Sequence, residues 1–274
     1  MRLLSRLVIA LVVCLVAIAI PSVPAQANGA YITLSPGSGV PGEEVTVRGY
    51  NFTADEWVDI YYYLDTARTW IDDVETDEDG DFRVTFTIPE SCTGDHMVLA
   101  EDTEDKSAHM EFEVEPGLTV DPEEGTVGTT VTVEGHGFAE EEEDIELMYY
   151  LDGTPEVVAE NIEADEDGWW EKSFQIPDSA KGSHKIDAEG DENQLRDVEG
   201  ATFEVIPGIS LDRSSGSVGE SITMTGNGFE DDDRYIKILF TGEEAETEPE
   251  IIRADENGYW EASFEVPERP KGTY

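Results

Sequence analysis

Cysteine is nearly missing from this 274-residue chain, which contains only Cys14 and Cys92. Cys14 lies in an apolar N-terminal stretch, so the remainder of the chain carries Cys92 alone. One thiol cannot close an intrachain disulfide. Each domain must therefore be stabilised by a hydrophobic core and not by covalent cross-links.

Basic residues are also scarce, because 16 lysines and arginines stand against 64 aspartates and glutamates, for a formal net charge of −48. Such a field repels the phosphates of nucleic acids and of anionic lipid headgroups, and it favours cations, basic partners and solubility. The composition therefore excludes nucleic acid as a partner.

Long apolar runs are limited to the fourteen residues Leu7–Ile20. A membrane-spanning helix needs about 20 apolar residues, so the sequence predicts no direct membrane span. Arg2 and Arg6 precede the run, and the small-residue sequence AQA at 25–27 follows it. This order is typical of a signal peptide, residues 1–27, that is cleaved on export. We expect a secreted or cell-surface protein.

One sequence motif occurs three times in the chain. Residues 39–52 read GVPGEEVTVRGYNF, residues 125–138 read GTVGTTVTVEGHGF, and residues 216–229 read GSVGESITMTGNGF. Tandem copies of one sequence predict tandem copies of one fold. A second block follows each copy: DEDGDFRVTFTIP at 77–89, DEDGWWEKSFQIP at 165–177 and DENGYWEASFEVP at 255–267.

The spacing of the copies sets the size of the unit. Phe52, Phe138 and Phe229 occupy one position of the motif and are separated by 86 and 91 residues. Units of that length hold a core of their own, unlike the repeats of about 20 to 50 residues in solenoids. We predict repeats 1, 2 and 3 at residues 28–115, 116–206 and 207–274.

Apolar and polar residues alternate through each unit, which indicates strands with one buried face. In repeat 1 the alternation runs through Val45 and Val47, then 58–64 and 82–88. About seven short strands separated by turn signals are typical of an immunoglobulin-like sandwich. The predicted fold class is all-β: tandem immunoglobulin-like β-sandwich domains after a cleavable signal peptide.

Dipeptides that end in glycine separate the predicted strands and the units. Asp79-Gly80, Asp167-Gly168 and Asn257-Gly258 lie between strand segments, which predicts β-hairpins with both central residues at positive φ. Pro116-Gly117 and Pro207-Gly208 lie between the units. They predict stiff linkers of about two residues and hence a rod of domains.

The order SPGSGVPGEEVTVRGYNF, an alternating strand, DEDG, FTIP and TGDHMVLA resembles the TIG-type (IPT) immunoglobulin-like repeats of bacterial secreted and surface proteins. The likeness covers Tyr31–Tyr274. It implies an extracellular spacer, an adhesin or accessory modules of a larger secreted protein, with no shared catalytic residues. The third copy ends in ERPKGTY, so we expect repeat 3 to be truncated, with its last two strands missing.

Acidic residues in the loops raise the question of a metal. In an immunoglobulin-like sandwich the loops at 140–144, 165–167 and 191–192 gather at one end of repeat 2, near the preceding domain. Calcium takes six to eight oxygen ligands, so calcium is the candidate ion and a calcium-dependent adhesin is one hypothesis. The alternative is a solvated acidic surface with ordinary turns. The candidate ligands are Asp77, Asp79, Asp81, Asp165 and Asp167.

Aromatic residues on the outward side of strands form a second candidate site. If Ile60 and Tyr62 point inward, then Tyr61 and Tyr63 point outward, as does Met148 in repeat 2. Exposed rings stack on sugars or anchor a protein partner; alternatively, they shield the sheet or pack on the next domain. The candidate partners are extracellular or surface proteins and glycans. The candidate binding residues are Tyr61, Tyr63, Tyr150, Trp169 and Tyr259.

No catalytic arrangement stands out in the sequence, which lacks Ser-His-Asp, metal-ligand and phosphate-loop spacings. His96, His184 and Tyr274 share one position of the repeat, which favours an aromatic filler over a general base. We therefore expect a non-enzymatic, exported array that acts as a spacer or adhesive stalk. A second hypothesis is that the repeats are accessory modules of a larger secreted hydrolase.

Overall fold

The computed structural model describes residues 29–64 and 67–273. The expected signal peptide, residues 1–27, and the expected role of Tyr274 therefore lie outside the described residues. Within those residues every regular element is a β-strand, which confirms the all-β prediction. The same part of the chain holds no helix of the length and apolarity needed to cross a membrane.

Repeat 1 is a sandwich of two sheets. Its strands are β1 Tyr31–Ser35, β2 Ser38–Gly39, β3 Glu44–Tyr50, β4 Trp57–Leu64, β5 Ala67–Glu75, β6 Phe82–Thr87, β7 Gly94–Asp102 and β8 Ser107–Val114. One sheet has the order β1-β3-β6 and the other has the order β2-β8-β7-β4-β5. The short β2 pairs in parallel with β8, whereas the other pairs are antiparallel.

Repeat 2 has the same topology. Its strands are β9 Gly117–Asp121, β10 Glu124–Gly125, β11 Thr130–His136, β12 Ile145–Leu151, β13 Thr154–Ile162, β14 Trp170–Gln175, β15 Gly182–Glu189 and β16 Ala201–Val205. The sheets have the orders β14-β11-β9 and β10-β16-β15-β12-β13. Two packed sheets with this connectivity form an immunoglobulin-like sandwich.

Repeat 3 continues the pattern in part. Its strands are β17 Gly208–Leu211, β18 Ser221–Asn227, β19 Arg234–Ile236, β20 Leu239–Phe240, β21 Glu243–Glu244, β22 Thr247–Glu248, β23 Ile252–Arg253 and β24 Trp260–Glu265. They form the sheet β17-β18-β24-β22 and the pairs β19-β23 and β20-β21. The truncation of this unit stays a prediction.

Inward-facing residues fill each core as the alternation predicts. Val45, Val47 and Tyr62 are fully buried in repeat 1. The Tyr62 hydroxyl lies 3.0 Å from Ser91 Oγ. Tyr149 is also fully buried, and its hydroxyl lies 3.1 Å from the hydroxyl of a serine at the equivalent position. Burial raises the pKa of both tyrosines to about 12.

The repeated glycine before the motif phenylalanine makes room for an aromatic ring. Gly135 pairs across the sheet with Trp170, and a Cβ on Gly135 would lie 2.1 Å from the indole. The ring of Phe138 packs edge-on against the same indole at a centroid distance of 5.4 Å. The other repeats build the same trio from Gly49, Phe82 and Phe52 and from Gly226, Trp260 and Phe229.

The prediction of a hairpin at each DEDG or DENG turn is wrong. β13 and β14 flank Gly168 but belong to different sheets, so the turn carries the chain across the sandwich. Only the glycine has positive φ, +77° at Gly168, and its carbonyl accepts a hydrogen bond from the Phe138 amide at 3.0 Å. A true two-residue hairpin of repeat 2 lies instead at Asp152-Gly153, between β12 and β13.

Candidate functional site

The first aspartate of each acidic turn accepts hydrogen bonds from its own turn. Asp77 Oδ1 lies 3.0 Å from the Asp79 amide nitrogen and 2.9 Å from that of Asp81. Asp165 bonds in the same way to the amides of Asp167 and Trp169. These oxygens cap the backbone, as aspartate commonly does in turns.

The three acidic loops of repeat 2 do meet at one end of the domain. The Glu141 amide donates to the Asp165 carbonyl at 3.0 Å, and a groove of about 520 Å³ lies beside them. No group of three or more His, Cys, Asp or Glu among the described residues has the arrangement of a metal site. Calcium binding by Asp77, Asp79, Asp81, Asp165 and Asp167 stays a prediction.

Glu142 is the carboxylate that organises these loops. Its residue is only 3% exposed, and its oxygens accept hydrogen bonds from the amides of Ala139, Glu192 and Asn193 and from the Asn193 side chain. A buried carboxylate with four donors is satisfied by the protein itself. Glu142 therefore fixes the 190–193 loop without a metal.

Asp102 has the corresponding role in repeat 1. It accepts hydrogen bonds from the amides of Thr53, Glu104 and Lys106 at 2.8 to 3.0 Å. Burial opposes the charged form of Asp102, but these hydrogen bonds outweigh burial and lower the pKa of its carboxyl. Each repeat thus holds the loops at this end with a buried carboxylate, which comes from Asp102 in repeat 1 and from Glu142 in repeat 2.

The junctions between repeats are built twice from the same contacts. The Thr93 amide donates to the Phe138 carbonyl at 3.0 Å, and the Lys181 amide donates to the Phe229 carbonyl at 2.9 Å. Two residues separate the last strand of one repeat from the first strand of the next at both junctions. At the first junction the Cys92 thiol also lies 3.2 Å from the Glu166 carbonyl oxygen.

Glycine permits the close approach at both junctions. Gly137 has φ +68°, and a Cβ there would lie 2.8 Å from the Glu115 carbonyl oxygen of the preceding repeat. Gly228 has the same φ, and its Cβ would lie 2.9 Å from the Ile206 carbonyl oxygen. The glycine that immediately precedes the motif phenylalanine in repeats 2 and 3 therefore serves contact between domains.

The first junction also holds a histidine between two carboxylates. His136 Nδ1 lies 3.1 Å from Glu90 in repeat 1, and Nε2 lies 3.7 Å from Glu134. These groups line a cavity of about 390 Å³. The hydrogen bond to Glu90 raises the pKa of His136 above its usual value, burial opposes this shift, and the charges of Glu90 and Glu134 add to it.

We expect this contact to stabilise the first junction in acid. Because the folded pKa is raised, the contribution is fully present below the unfolded pKa of about 6.5 and is lost as pH rises through the folded value. Replacing His136 by Asn, the residue at the same position in repeat 3, should cost about 1 kcal/mol at pH 5.5 and less at pH 9. Hydrogen exchange of junction peptides at both pH values measures this difference. An equal cost at both values would contradict it.

The outward side of the five-stranded sheet of repeat 1 carries the most developed aromatic surface. Tyr61 on β4 pairs across the sheet with Trp70 on β5. Both rings bond to one carboxylate, because Trp70 Nε1 lies 3.2 Å from Asp59 Oδ1 and the Tyr61 hydroxyl lies 3.3 Å from Asp59 Oδ2. Trp70 is 52% exposed.

Arg68 completes this surface. Its guanidinium carbon lies 4.2 Å from the centroid of the Tyr61 ring, and its Nη1 lies 3.1 Å from Glu101 Oε2 on β7. The stacking and the ion pair hold the guanidinium over the Tyr61 ring. The arrangement places an exposed indole beside both donors and acceptors of hydrogen bonds.

The other candidate rings are more scattered. Tyr63, Tyr150 and Trp169 are half-buried, and the ring of Tyr150 lies 5.6 Å from Lys185 Nζ. Tyr259 is 36% exposed, and its hydroxyl bonds to a neighbouring glutamate. Tyr63 lies on the same side of β4 as Tyr61 and pairs across the sheet with Arg68, whereas Tyr150, Trp169 and Tyr259 lie in repeats 2 and 3.

The structure adds detail to two expectations about side-chain placement. Met148 is outside the inner core cluster, which fits an outward direction, but it is only 4% exposed because it lies between Val157 on β13 and Asp187 on β15. His96 is an aromatic filler that also contacts the backbone. It stacks on Tyr62, and its two ring nitrogens lie 3.1 and 2.8 Å from backbone carbonyl oxygens.

Trp70 was missed by sequence reasoning. It lies in the polar segment ARTWIDDVE, where a β-bulge shifts the register between β4 and β5. A large aromatic residue within a polar strand is a usable signal, but its placement beside Tyr61 depends on the bulge.

No protein-family model and no curated protein matches this chain. Among solved structures it is similar to a tetra-tandem repeat in the extending region of a large adhesion protein, at 12% identity and a TM-score of 0.31, over 87% of this chain and 66% of that one. It is also similar to SGBP-B of the Bacteroides ovatus mixed-linkage glucan utilization locus, in complex with a mixed-linkage heptasaccharide, at 16% identity and a TM-score of 0.29, over 67% and 45%.

A third similar structure is trypsin-activated alpha-2-macroglobulin from Escherichia coli, at 10% identity and a TM-score of 0.27, over 88% of this chain and 22% of that one. The chain thus spans 66% of the first of these proteins and less than half of the other two. Likenesses at this level concern the fold alone, and no function is taken from them.

Proposed function

We propose that this chain is an exported, non-catalytic array of immunoglobulin-like modules that acts as an extracellular spacer or adhesive stalk. The repeated junction carries this proposal. The same amide-to-carbonyl hydrogen bond and the same glycine contact occur between repeats 1 and 2 and between repeats 2 and 3. Junctions that share these contacts favour one relative orientation of neighbouring repeats, which is the requirement for a stiff, extended array.

Surface charge supports an extracellular role of this kind. A formal net charge of −48 favours solubility and keeps neighbouring stalks apart by electrostatic repulsion. The calcium-dependent adhesin has less support, because Asp77 and Asp165 already accept hydrogen bonds from their own turns.

The test is whether repeats 1 and 2 reorient together in solution. Residual dipolar couplings of the chain without residues 1–27 should fit one alignment tensor for both repeats. Gly137→Ala places a Cβ 2.8 Å from the Glu115 carbonyl oxygen and should separate the tensors, because the close approach is lost. Gly128→Ala is the matched control, since Gly128 has φ +79° and nothing within 4 Å of its Cβ position. Different tensors in the unsubstituted protein would overturn the stiff spacer.

A further inference from the structure

We propose that the outward side of the five-stranded sheet of repeat 1 binds a neutral oligosaccharide. The surface consists of Trp57, Asp59, Tyr61, Arg68, Trp70 and Glu101 and is called here the Trp70 face. The proposal adds a ligand class to the proposed adhesive role. Binding is argued from this surface alone, and only its biological purpose rests on the proposed function.

The Trp70 face is ordered before any ligand arrives. Asp59 bonds to both Trp70 and Tyr61, and Arg68 is held by the Tyr61 ring and by Glu101. Fixed rings lose little conformational entropy on binding, which favours association. Trp70 nevertheless leaves 52% of its surface to water, and a large exposed ring fixed in place is typical of recognition surfaces.

Charges on the face select among ligands. Arg68 supplies guanidinium donors, while Asp59 and Glu101 supply carboxylate acceptors. Sugar hydroxyls both donate and accept hydrogen bonds, so they match this mixture, and the apolar side of a pyranose matches the indole. An anionic glycan meets the repulsion of a chain with net charge −48, whereas a cationic ligand is attracted to the acidic surface as a whole and gains nothing specific from this face, where Arg68 already pairs with Glu101.

Two exposed indoles set the length of the ligand. Trp57 is also 52% exposed and lies on the same side of β4 as Asp59 and Tyr61. A strand rises about 3.3 Å per residue, so Trp57 lies roughly 13 Å from the row formed by Tyr61 and Trp70. A single sugar cannot contact both rings, whereas an oligosaccharide of several units can.

Repeat 2 provides an internal comparison. Its equivalent residues are the buried Met148 in place of Tyr61 and Val157 in place of Trp70, as the cross-strand register shows. The equivalent of Asp59 is Glu146. The sandwich therefore does not need the Trp70 face for folding, and Trp70→Val reproduces a side chain that this fold already accepts.

The experiment uses the three-repeat chain without residues 1–27 and isothermal titration calorimetry. Its probes are neutral cellohexaose, xylohexaose and mannohexaose, glucose as a monosaccharide, an anionic galacturonate hexamer and a cationic glucosamine hexamer. At least one neutral hexasaccharide should bind at least 10-fold more tightly than glucose and than the galacturonate hexamer. Trp70→Val should weaken that binding at least 10-fold and should leave binding of the glucosamine hexamer, which measures general attraction to the acidic chain, unchanged. Trp57→Val should weaken the hexasaccharide while leaving glucose unchanged.

Val157→Ala is the control variant, because Val157 is 47% exposed at the position of repeat 2 that is equivalent to Trp70, and it should bind as the unsubstituted protein does. Thermal melts establish that each variant is folded. Tighter binding of the galacturonate hexamer, loss of glucosamine-hexamer binding in Trp70→Val, absence of binding by all three neutral hexasaccharides at about 10 mM, or unchanged binding of the neutral hexasaccharide in folded Trp70→Val would overturn the proposal. None of these results affects the alignment test of the stiff spacer.

Discussion

Gly168→Ala is expected to unfold repeat 2 preferentially. Gly168 has φ +77°, and a Cβ there would lie 2.2 Å from the carbonyl oxygen of Phe138. This oxygen belongs to the backbone at the first junction, where it accepts the Thr93 amide. Neither side can move without breaking the junction or the core, so we expect a loss of about 4 kcal/mol or more in the free energy of unfolding.

Gly153→Ala separates the free-energy cost of the steric clash from the free-energy cost of placing alanine at positive φ. Gly153 has φ +78° in the same repeat, but nothing lies within 4 Å of its Cβ position. Alanine there should cost only about 1 kcal/mol, the penalty of the left-handed conformation. Hydrogen exchange of β11 and β14 amides measures both losses within repeat 2. Equal losses in the two variants would show that the approach to Phe138 is looser than 2.2 Å.

The repeated motif made most of the fold predictable from sequence. Alternation in 45–47 and 58–64 placed buried valines and Tyr62 correctly, since a strand with one buried face has no other period. The outward direction of Tyr61 followed from the same rule. The meeting of the loops around Glu141 and Asp165 followed from the connectivity of an immunoglobulin-like sandwich.

Sequence reasoning failed where long-range packing decides between equivalent local patterns. Asp167-Gly168 and Asp152-Gly153 are the same dipeptide, yet only the second closes a hairpin. The difference is the Phe138 backbone, which packs on Gly168 from a distant part of the chain. Trp70 was missed for a related reason, because the bulge that places it beside Tyr61 arises from strand pairing.

The structural roles of individual acidic residues were the feature least predictable from the local sequence. In a chain with 64 aspartates and glutamates, Glu142 looks no different from the glutamates around it. Its burial and its four donors become visible only once the 190–193 loop is in place. The sequence therefore drew attention to exposed carboxylates as calcium ligands and passed over the one carboxylate that organises the loops.

Glu142→Ala is accordingly the second substitution expected to have a large effect. It removes the acceptor of three backbone amides, those of Ala139, Glu192 and Asn193, and of the Asn193 side chain. A buried donor left without a partner costs about 1 to 3 kcal/mol, so we expect a loss of about 3 to 5 kcal/mol after partial recovery by water. Exchange of the amides at 190–193 should accelerate most.

Glu143→Ala is the matched control for Glu142→Ala. Glu143 is exposed in the same loop, so its removal changes the net charge of the chain equally and breaks none of those hydrogen bonds. We expect an effect within about 0.5 kcal/mol, as for most surface substitutions. A large difference between the two variants attributes the stability to hydrogen bonding by Glu142. Equal effects would contradict that role, because both substitutions remove one negative charge and only Glu142→Ala removes these hydrogen bonds.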